Sequence, residues 1–432
     1  MDKTEHKLSP RKEARVLFID MNSFFASCEQ QDNFYLRNRP IAVCVYTGKF
    51  GCVIAPSIEA KKFGIKTGMR LNEAILLCKD LIPLETRPER YRHYHTKIIH
   101  ILKLYCHDVY PKSIDEAVID LTNYHLVYKD VVEVAKKIKN DIKEKVGEWL
   151  QCSIGIAPNS FLAKLASDFE KPNGLVIINA ENIDNILSRL KLTDLPGIAE
   201  KMQIRLNKGG ITTALEMRKA SPENLKAILK SIVGFYWHCR LNFIEVDLGQ
   251  EQDYKSMQAM RHLNQEQRTS EQLIHEILIS LCLTLEYRMV KRRIFSNTLV
   301  VNFRYANGEQ WSDFLNLSSP MQDGADIYSA ILFRIKDFEK HHVSEKIIHR
   351  GIISICLSIS NFSNHTMIQG NLFEDNNKKD HLRKIVYDLK NKFGKQKLMR
   401  AVEIKEDKII QDVIGFGSVK DLYNNDTTEM MT

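Results

Sequence analysis

Two acidic side chains stand next to each other in the stretch "SIDEA" at residues 113–117, where Asp115 is followed by Glu116. A third acid, Asp20, ends the apolar run "VLFID" much earlier in the chain. Carboxylates that are held together repel each other and raise one another's pKa unless a cation compensates. A set of oxygen donors without His or Cys selects a hard ion such as Mg²⁺. These three acids therefore predict phosphoryl transfer that is assisted by two metal ions.

Each acid also has an ordinary structural interpretation. Asp20, at the end of a predicted strand, would cap the helix that follows, and Asp115 and Glu116 would be surface acids in a turn. Apolar segments on both sides favour function, because they bring the acids close to a sheet end, where unpaired charges are costly. Neighbouring side chains in an extended strand point to opposite faces. How two consecutive acids serve one site is therefore a question for the structure.

The segments around the acids alternate between strand and helix patterns. Short apolar runs such as "VLFID", "GCVIA", "AVIDL" and "CSIGIA" indicate strands, whereas "YRHYHTKIIHILKLYC" and "FLAKLASDF" have helical spacing. Their order predicts a mixed α/β layer with antiparallel pairing, close to the ferredoxin-like pattern. Short helices follow residue 180, and a basic unit with a long helix at 271–290 begins near Lys255. Beyond residue 360 the chain is polar, and we expect it to be loosely ordered.

Bulk composition limits the class of protein. The 432 residues suffice for two to four domains, and a net charge of +8 suits a polyanionic partner. The N-terminus "MDKTEHKLSPRKEAR" is charged rather than apolar, and no apolar run reaches the length of a membrane helix. We therefore expect a cytoplasmic protein with no membrane partner. The nine scattered cysteines argue against a disulfide framework and against structural zinc.

An ordered set of motifs resembles the Y-family, or translesion, DNA polymerases, in particular the DinB and UmuC branches. The motifs are "FIDMNSFFASCEQ", "VIAPSIEAKKFGIKTGM", "SIDEAVIDLT", "CSIGIAPNSFLAKLASDFEKPNGL" and "LPGIAEKMQIRLNKGGITT". The resemblance implies an α+β multidomain fold, a right-hand polymerase with a ferredoxin-like palm. Its parts are a palm at 14–23 and 87–178, small fingers at 24–86, a helical thumb with a helix-hairpin-helix at 179–250, an α/β little finger at 255–360 and a C-terminal tail at 361–432.

The same resemblance assigns the catalytic residues. It makes Asp20 and Asp115 the carboxylates shared by two Mg²⁺ ions, for which Mn²⁺ can substitute. It places Glu116, the third catalytic and metal-binding acid, beside the primer 3′-hydroxyl, and the main-chain carbonyl of Met21 on the nucleotide-side metal. We expect the three carboxylates to converge within metal-bridging distance at the end of the palm sheet, with Phe25 and Lys171 facing the same cavity.

The nucleotide pocket follows in the same way. Phe25 matches the aromatic steric gate that packs against the sugar of the incoming nucleotide, although its ordinary interpretation is a core aromatic. The other nucleotide-binding residues that the resemblance implies are Phe24, Ser57, Lys61 and Lys171. Lys61 stands where the family more often has Arg, and Ile58 where many members have Tyr. These two departures imply weaker bidentate binding of the β- and γ-phosphates of the incoming nucleotide.

DNA contacts are implied in two places. The segment at 195–213 resembles a helix-hairpin-helix, in which Gly197, Ala199 and Lys201 would contact a DNA phosphate without reading sequence. Ala199 replaces the usual second glycine, so we expect a distorted hairpin, and a plain helical corner is the alternative. In the little finger, Arg292 and Arg293 would lie along the duplex backbone. A solvated charged face is the ordinary explanation of that cluster.

The stretch "QGNLF" at 369–373 resembles the pentapeptide with which such polymerases bind the sliding clamp, with Gln369, Leu372 and Phe373 as its anchors. If the chain follows the UmuC branch, a UmuD-like accessory subunit is a further partner.

The resemblance implies a DNA-directed DNA polymerase for translesion synthesis, acting on primer-template DNA and deoxynucleoside triphosphates in error-prone, SOS-type DNA repair. One alternative is a catalytically inactive scaffold of the same fold, bound to the clamp. Another is a nucleotide cyclase, whose palm and two-metal chemistry are similar.

Overall fold

The computed structural model describes residues 9–48, 51–248, 255–268, 270–342, 346–349, 351–364 and 376–393. The described residues up to 248 form one compact unit, and those from 255 onward form a second. Within these ranges, the helices are too short or too polar to cross a membrane.

The first unit contains two sheets and a series of short helices. Its described strands are β1 (Val16–Met21), β2 (Ile41–Cys44), β3 (Val53–Pro56), β4 (Ile82–Glu85), β5 (Val109–Pro111), β6 (Glu116–Asp120), β7 (Cys152–Ala157) and β8 (Leu175–Ile177). Its described α-helices are α1 (Phe24–Asp32), α2 (Ile58–Lys62), α3 (Leu71–Leu77), α4 (Pro88–Lys103), α5 (Val131–Asp141), α6 (Ser160–Phe169), α7 (Ile183–Ser188), α8 (Glu200–Lys208), α9 (Ala214–Lys219), α10 (Pro222–Leu229) and α11 (Val233–Leu241).

The larger sheet has the strand order β5-β6-β1-β7-β8. Neighbouring strands are antiparallel, except that β7 and β8 are parallel. All six residues of β1 are buried, because this strand lies between β6 and β7 and is covered by helices. The predicted mixed layer with antiparallel pairing is therefore confirmed, and Asp20 lies near the end of its central strand.

Helix α6 packs closely against β7 because Gly155 has no side chain. A Cβ atom at Gly155 would lie 1.9 Å from the carbonyl oxygen of Ala163. The core beneath α6 includes Phe18 and Leu162 and continues to Trp237 of α11. The helices after residue 180 thus share one apolar core with the sheet that carries the acids.

The smaller sheet of this unit has the order β3-β2-β4 and lies, in sequence, between β1 and β5. Strands β2 and β3 are antiparallel, and β2 and β4 are parallel. Its small core contains Val53, Ile65 and Leu71. The segment predicted as fingers is thus a small α/β layer with its own apolar core.

The second unit is an antiparallel sheet with helices. Its described strands are β9 (Ser256–His262), β10 (Ile294–Tyr305), β11 (Gln310–Met321) and β12 (Ile352–Asn364), and its described α-helices are α12 (Glu271–Arg292), α13 (Gly324–His341) and α14 (Asn376–Phe393). The strand order is β11-β10-β12-β9. The long helix predicted at 271–290 is confirmed as α12.

Helix α14 corrects the expectation of a loosely ordered tail, which is wrong for residues 376–393. The ring of Tyr387 is 95% buried, with its centroid 5.5 Å from that of Tyr287 on α12. Arg383 reaches the buried Glu286 at 3.6 Å and Asp323 at 3.0 Å. The segment is polar in composition, and its tertiary partners are charged and aromatic groups that composition alone does not reveal.

Candidate active site

Strand register brings the acids together. Asp20 on β1 lies directly opposite Glu116 on β6, and opposed residues in an antiparallel pair project from the same face. Asp115 lies outside β6, in a bend, and its carbonyl oxygen accepts a hydrogen bond from the amide of Met21 at 2.9 Å. The alternation of a strand therefore does not apply between Asp115 and Glu116. This bend is how two consecutive acids meet at one sheet end.

Two lysines lie against these carboxylates. Lys171 Nζ is 2.6 Å from Asp20 Oδ2 and 2.8 Å from Asp168 Oδ1. Lys164, on α6, donates from Nζ to Glu116 Oε1 and lies 4.6 Å from the ring centroid of Phe18. Sequence reasoning identified Lys171, in the turn after α6, but missed Lys164, which lies on α6 itself. Its helical spacing from Asp168 was the available signal.

Burial controls the electrostatics of the acids. It raises the pKa of Asp20 to about 6, although Lys171 opposes this shift. Burial also raises the pKa of Asp115, which is partly offset because Ser113 Oγ donates to Asp115 Oδ1 at 2.5 Å. Asp20 and Asp115 therefore have less positive charge around them than their ionised forms require.

The donor set fits a hard divalent cation. Its ligands are carboxylate oxygens with a main-chain carbonyl nearby, the chemistry that Mg²⁺ prefers. Among the described residues, no three His, Cys, Asp or Glu side chains are already arranged as a metal-binding group. Lysine ammonium groups occupy space beside Asp20 and Glu116 instead. The acids share one end of the sheet, but the expected convergence of all three carboxylates within metal-bridging distance is not seen among the described residues.

A buried amide fixes the turn that carries Lys171. Asn22 is 5% exposed, and its Oδ1 accepts from the amide of Asn173 at 2.7 Å. Its Nδ2 donates to Ser153 Oγ at 3.1 Å. The "KPNG" turn is thereby tied to the end of β1 and to β7, so that Lys171 faces Asp20. Sequence reasoning did not identify Asn22, whose partners are distant in the chain.

Phe25 lies in a buried aromatic stack. Its ring centroid is 4.3 Å from that of Tyr91 on α4, and the planes are 12° apart. Phe24 is tilted against it at 5.9 Å. Phe25 is only 3% exposed, as the core interpretation expects. Its role as the gate stays a prediction.

The two finger residues are placed differently. Ser57 is fully buried, and its Oγ caps α2 by accepting from Ala60 at 3.2 Å while also donating to the carbonyl of Arg39. Its proposed contact with nucleotide therefore stays a sequence-based prediction. Lys61 follows on α2, and burial together with Lys171 lowers its pKa, whereas Asp20 raises it. Lys61 is thus electrostatically coupled to the acidic site.

A turn at Gly197 leads into α8 at the position of the predicted hairpin. Gly197 has a φ of +95°, a left-handed conformation that favours glycine. Ile198 is buried, Ala199 occupies the N-cap of α8, and Lys201 lies exposed in its first turn. Hydrogen bonding to DNA by these residues stays a prediction.

Residues predicted to contact duplex or clamp lie beyond the first unit. Arg292 ends α12, and Arg293 follows in a left-handed conformation with a φ of +54°. The clamp-binding residues Gln369, Leu372 and Phe373 lie outside the described residues.

Comparison with known families decides the classification. The model of the impB/mucB/samB family matches residues 19–168, and the model of that family's C-terminal domain matches residues 254–372. The chain belongs to the impB/mucB/samB family, the Y-family DNA polymerases. The predicted family is therefore confirmed.

Curated relatives of this Y-family chain are named DNA polymerase IV. The protein of Gluconobacter oxydans is 32% identical over 319 residues, which cover 72% of this chain and 86% of the relative. The protein of Oceanobacillus iheyensis is 30% identical over 390 residues, which cover 88% and 90%. The match to the protein of Sulfurisphaera tokodaii, 33% identical over 224 residues, covers 51% of this chain and 63% of the relative. That match therefore spans less than two thirds of the relative's length.

Solved structures share the fold of this Y-family chain. A Y-family DNA polymerase chimera of Dbh and Dpo4 has a TM-score of 0.67 at 24% identity, covering 81% of this chain and 99% of the other. An insertion ternary complex of Dbh DNA polymerase has a TM-score of 0.54 with the same coverage. The predicted α+β polymerase fold is confirmed.

Proposed function

We propose that this chain is a DNA-directed DNA polymerase for translesion synthesis. It adds a deoxynucleotide to a primer by in-line attack of the 3′-hydroxyl on the α-phosphate, with release of pyrophosphate. The observation that carries the proposal is the meeting of Asp20, Asp115 and Glu116 at one end of the palm sheet, in a chain that matches both family models. The relatives named DNA polymerase IV support the same activity.

The acids would hold two Mg²⁺ ions, or Mn²⁺ as a substitute. Asp20 and Asp115 would be shared between the ions, with Glu116 on the primer side and the carbonyl of Met21 on the nucleotide side. When bound, the ions lower the pKa of the attacking hydroxyl and stabilise the charge on the departing pyrophosphate. The raised pKa values of Asp20 and Asp115 support this assignment, because these buried carboxylates require added positive charge.

Two lysines prepare the site for the triphosphate. Lys171 balances Asp20 through their 2.6 Å ion pair, and its ammonium lies close enough to the acids to meet the phosphates of a nucleotide. Lys61 is coupled to the same group of charges. A lysine offers a point charge, whereas an arginine offers a bidentate fork. We therefore propose that Lys61 holds the β- and γ-phosphates less rigidly than an arginine would.

The remaining proposed contacts with substrate, DNA and protein partners rest on the family. Phe25, beside Phe24, would pack against the sugar and exclude a 2′-hydroxyl. The hairpin at Gly197 and Lys201 and the cluster at Arg292 and Arg293 would contact the DNA backbone. Small fingers leave the template side open, which suits damaged templates and low fidelity in SOS-type repair. We place the activity in the cytoplasm, on primer-template DNA and with the sliding clamp.

Primer extension tests the activity. The full chain is assayed on a primed template with Mg²⁺ and then with Mn²⁺, against the variant Asp115→Ala. Asp184→Ala serves as a control because Asp184 is an exposed acid of α7 that pairs with Arg218. We expect extension by the wild type and by Asp184→Ala, and none by Asp115→Ala.

Equal inactivity of wild type and Asp115→Ala with both metals would reject the polymerase and favour the inactive scaffold. Turnover of a triphosphate without DNA would instead favour the cyclase. Neither alternative has a specific feature of the structure in its favour.

The clamp peptide has a separate test. Replacing Leu372 and Phe373 together with Ala should abolish binding to a bacterial sliding clamp, because adjacent apolar anchors carry most of the affinity of such peptides. Distributive primer extension without the clamp should persist. Unchanged clamp affinity would reject the assignment of this peptide.

A further inference from the structure

The aromatic stack beneath the proposed nucleotide pocket is itself held by a carboxylate. Tyr91 is fully buried, and its hydroxyl donates to Glu29 Oε1 at 2.8 Å. Glu29 is 5% exposed and follows Phe25 by one turn of α1. The ring that backs Phe25 therefore has a fixed polar anchor on the same helix as Phe25.

The carboxylate of Glu29 is held in turn by a bidentate ion pair with Arg87. Arg87 donates from Nε to Glu29 Oε1 at 3.0 Å and from Nη2 to Glu29 Oε2 at 2.6 Å. Bidentate pairs of this kind are strong and set both distance and plane. A buried carboxylate that keeps this partner has little freedom to move, so the Tyr91 hydroxyl is held in one place.

A second tyrosine in the same network provides an internal comparison. Tyr94, one turn further along α4, donates from its hydroxyl to Asp32 Oδ1 at 2.6 Å. Asp32 also pairs with Arg90, at 2.7 Å, and with Arg87, at 2.8 Å. Both tyrosines thus join α4 to α1 through a carboxylate, but the ring that stacks on Phe25 is that of Tyr91.

The position of Phe25 depends on the ring behind it. The two rings are nearly parallel, with centroids 4.3 Å apart, so a movement of Tyr91 would remove the surface on which the Phe25 ring packs. A shift of about 1 Å in a positioning group is enough to change which substrates fit. The Tyr91 hydroxyl bond opposes that movement.

We propose that Glu29 is a positioning residue for sugar selection. Through its bond to Tyr91 it keeps Phe25 forward, so that the pocket admits a deoxyribose and excludes a 2′-hydroxyl. This inference rests on the proposed polymerase activity and on Phe25 as the gate. It adds that the selectivity is set by a buried hydrogen bond behind the gate and not by the size of Phe25 alone.

Single-nucleotide extension measures the effect. The ratio of kcat/KM for a deoxynucleotide to kcat/KM for the matching ribonucleotide is determined for wild type, Tyr91→Phe and Glu29→Gln. Tyr91→Phe keeps the ring and removes only the hydroxyl. Loss of one such hydrogen bond corresponds to about a tenfold change, so we expect the ratio to fall about tenfold in Tyr91→Phe. Glu29→Gln weakens the Arg87 pair and should lower the ratio in the same direction.

Tyr94→Phe is the matched control, because it removes an equivalent hydroxyl from the same network and leaves the Phe25 stack intact. Its ratio should equal that of the wild type. Equal falls in Tyr91→Phe and Tyr94→Phe would overturn the inference, because the network would then act only by holding α1 and α4 together. An unchanged ratio in Tyr91→Phe would overturn it as well.

The variant Phe25→Val tests the assignment of Phe25 as the gate separately from the role of Glu29. If Phe25 is the gate, this variant loses selectivity whatever the outcome for Tyr91. If Phe25→Val extends primers with unchanged selectivity, the gate assignment fails and the inference fails with it. If the wild type does not extend primers at all, the proposed function itself fails.

Discussion

The buried histidine behind the "SIDEA" bend should make stability depend on pH. His95 on α4 is 2% exposed, and its Nδ1 is 2.7 Å from the carbonyl oxygen of Ile114, the residue before Asp115. Burial lowers the pKa of His95 to about 4 from an ordinary value of 6.5. The unfolded chain therefore binds a proton more readily than the folded chain between these values. The contribution of neutral His95 to the free energy of unfolding is fully present above pH 6.5 and is lost as the pH falls towards 4.

The size of the effect follows from the shift. A change of one pKa unit corresponds to 1.36 kcal/mol, so the full loss at low pH is about 3 kcal/mol. At pH 5 most of the unfolded chains carry the proton on His95 and most folded chains do not. The free energy of unfolding is therefore lower by about 2 kcal/mol at this pH. His95→Asn keeps an N–H donor and removes the titration. Wild type should therefore lose about 2 kcal/mol more than His95→Asn between pH 7 and pH 5.

Urea unfolding at the two pH values, followed by tryptophan fluorescence, gives the four free energies. Titrations of other groups are common to both proteins and cancel in the difference. His100→Asn, on the exposed face of the same helix, should behave as the wild type. If wild type and His95→Asn lose the same stability, the histidine is not held neutral and the reasoning is refuted.

Two further substitutions test the packing inside each unit, one in the second unit and one in the first. Arg383→Ala should destabilise the second unit by about 3–5 kcal/mol, because it removes a guanidinium that pairs with the buried carboxylate of Glu286. Removal of the more exposed Arg334 should cost less than about 1 kcal/mol. Thermal unfolding of both variants checks this, and equal costs would contradict it. Gly155→Ala should separate α6 from β7, because its Cβ would overlap the carbonyl of Ala163. We expect loss of primer extension together with a lower melting temperature, and a variant with wild-type stability would contradict this packing.

The sequence predicted those features that depend on local patterns. The strand that ends near Asp20, the long helix α12 and the turn at Gly197 follow from apolar spacing and from glycine conformation. The adjacency of Asp115 and Glu116 was puzzling only because both were taken to lie within one strand. The bend before β6 depends on hydrogen bonds from the amides of Lys112 and Ser113 to the carbonyl oxygen of Glu116, which strand periodicity does not encode.

The features that sequence reasoning missed depend on distant partners. Lys164 and Asn22 are ordinary polar residues until the fold brings them to Glu116 and Asn173. Helix α14 was missed because its buried groups include a charged residue, Arg383, whose partners belong to other elements. Composition treats such a residue as a solvent-exposed charge.

The central position of β1 has a consequence for folding. Its partners β6 and β7 are made after the whole segment that contains β2, β3 and β4. Closing a loop of about 95 residues costs about 4 kcal/mol in chain entropy beyond the constant contribution, and contacts of such range slow folding. At roughly 5–20 residues per second, a nascent β1 waits about 5 to 20 seconds for β6 and about 7 to 27 seconds for β7. Until β6 is made, β1 is an apolar strand with two open edges and is exposed to aggregation, so the strand that carries Asp20 is also a point of vulnerability during synthesis.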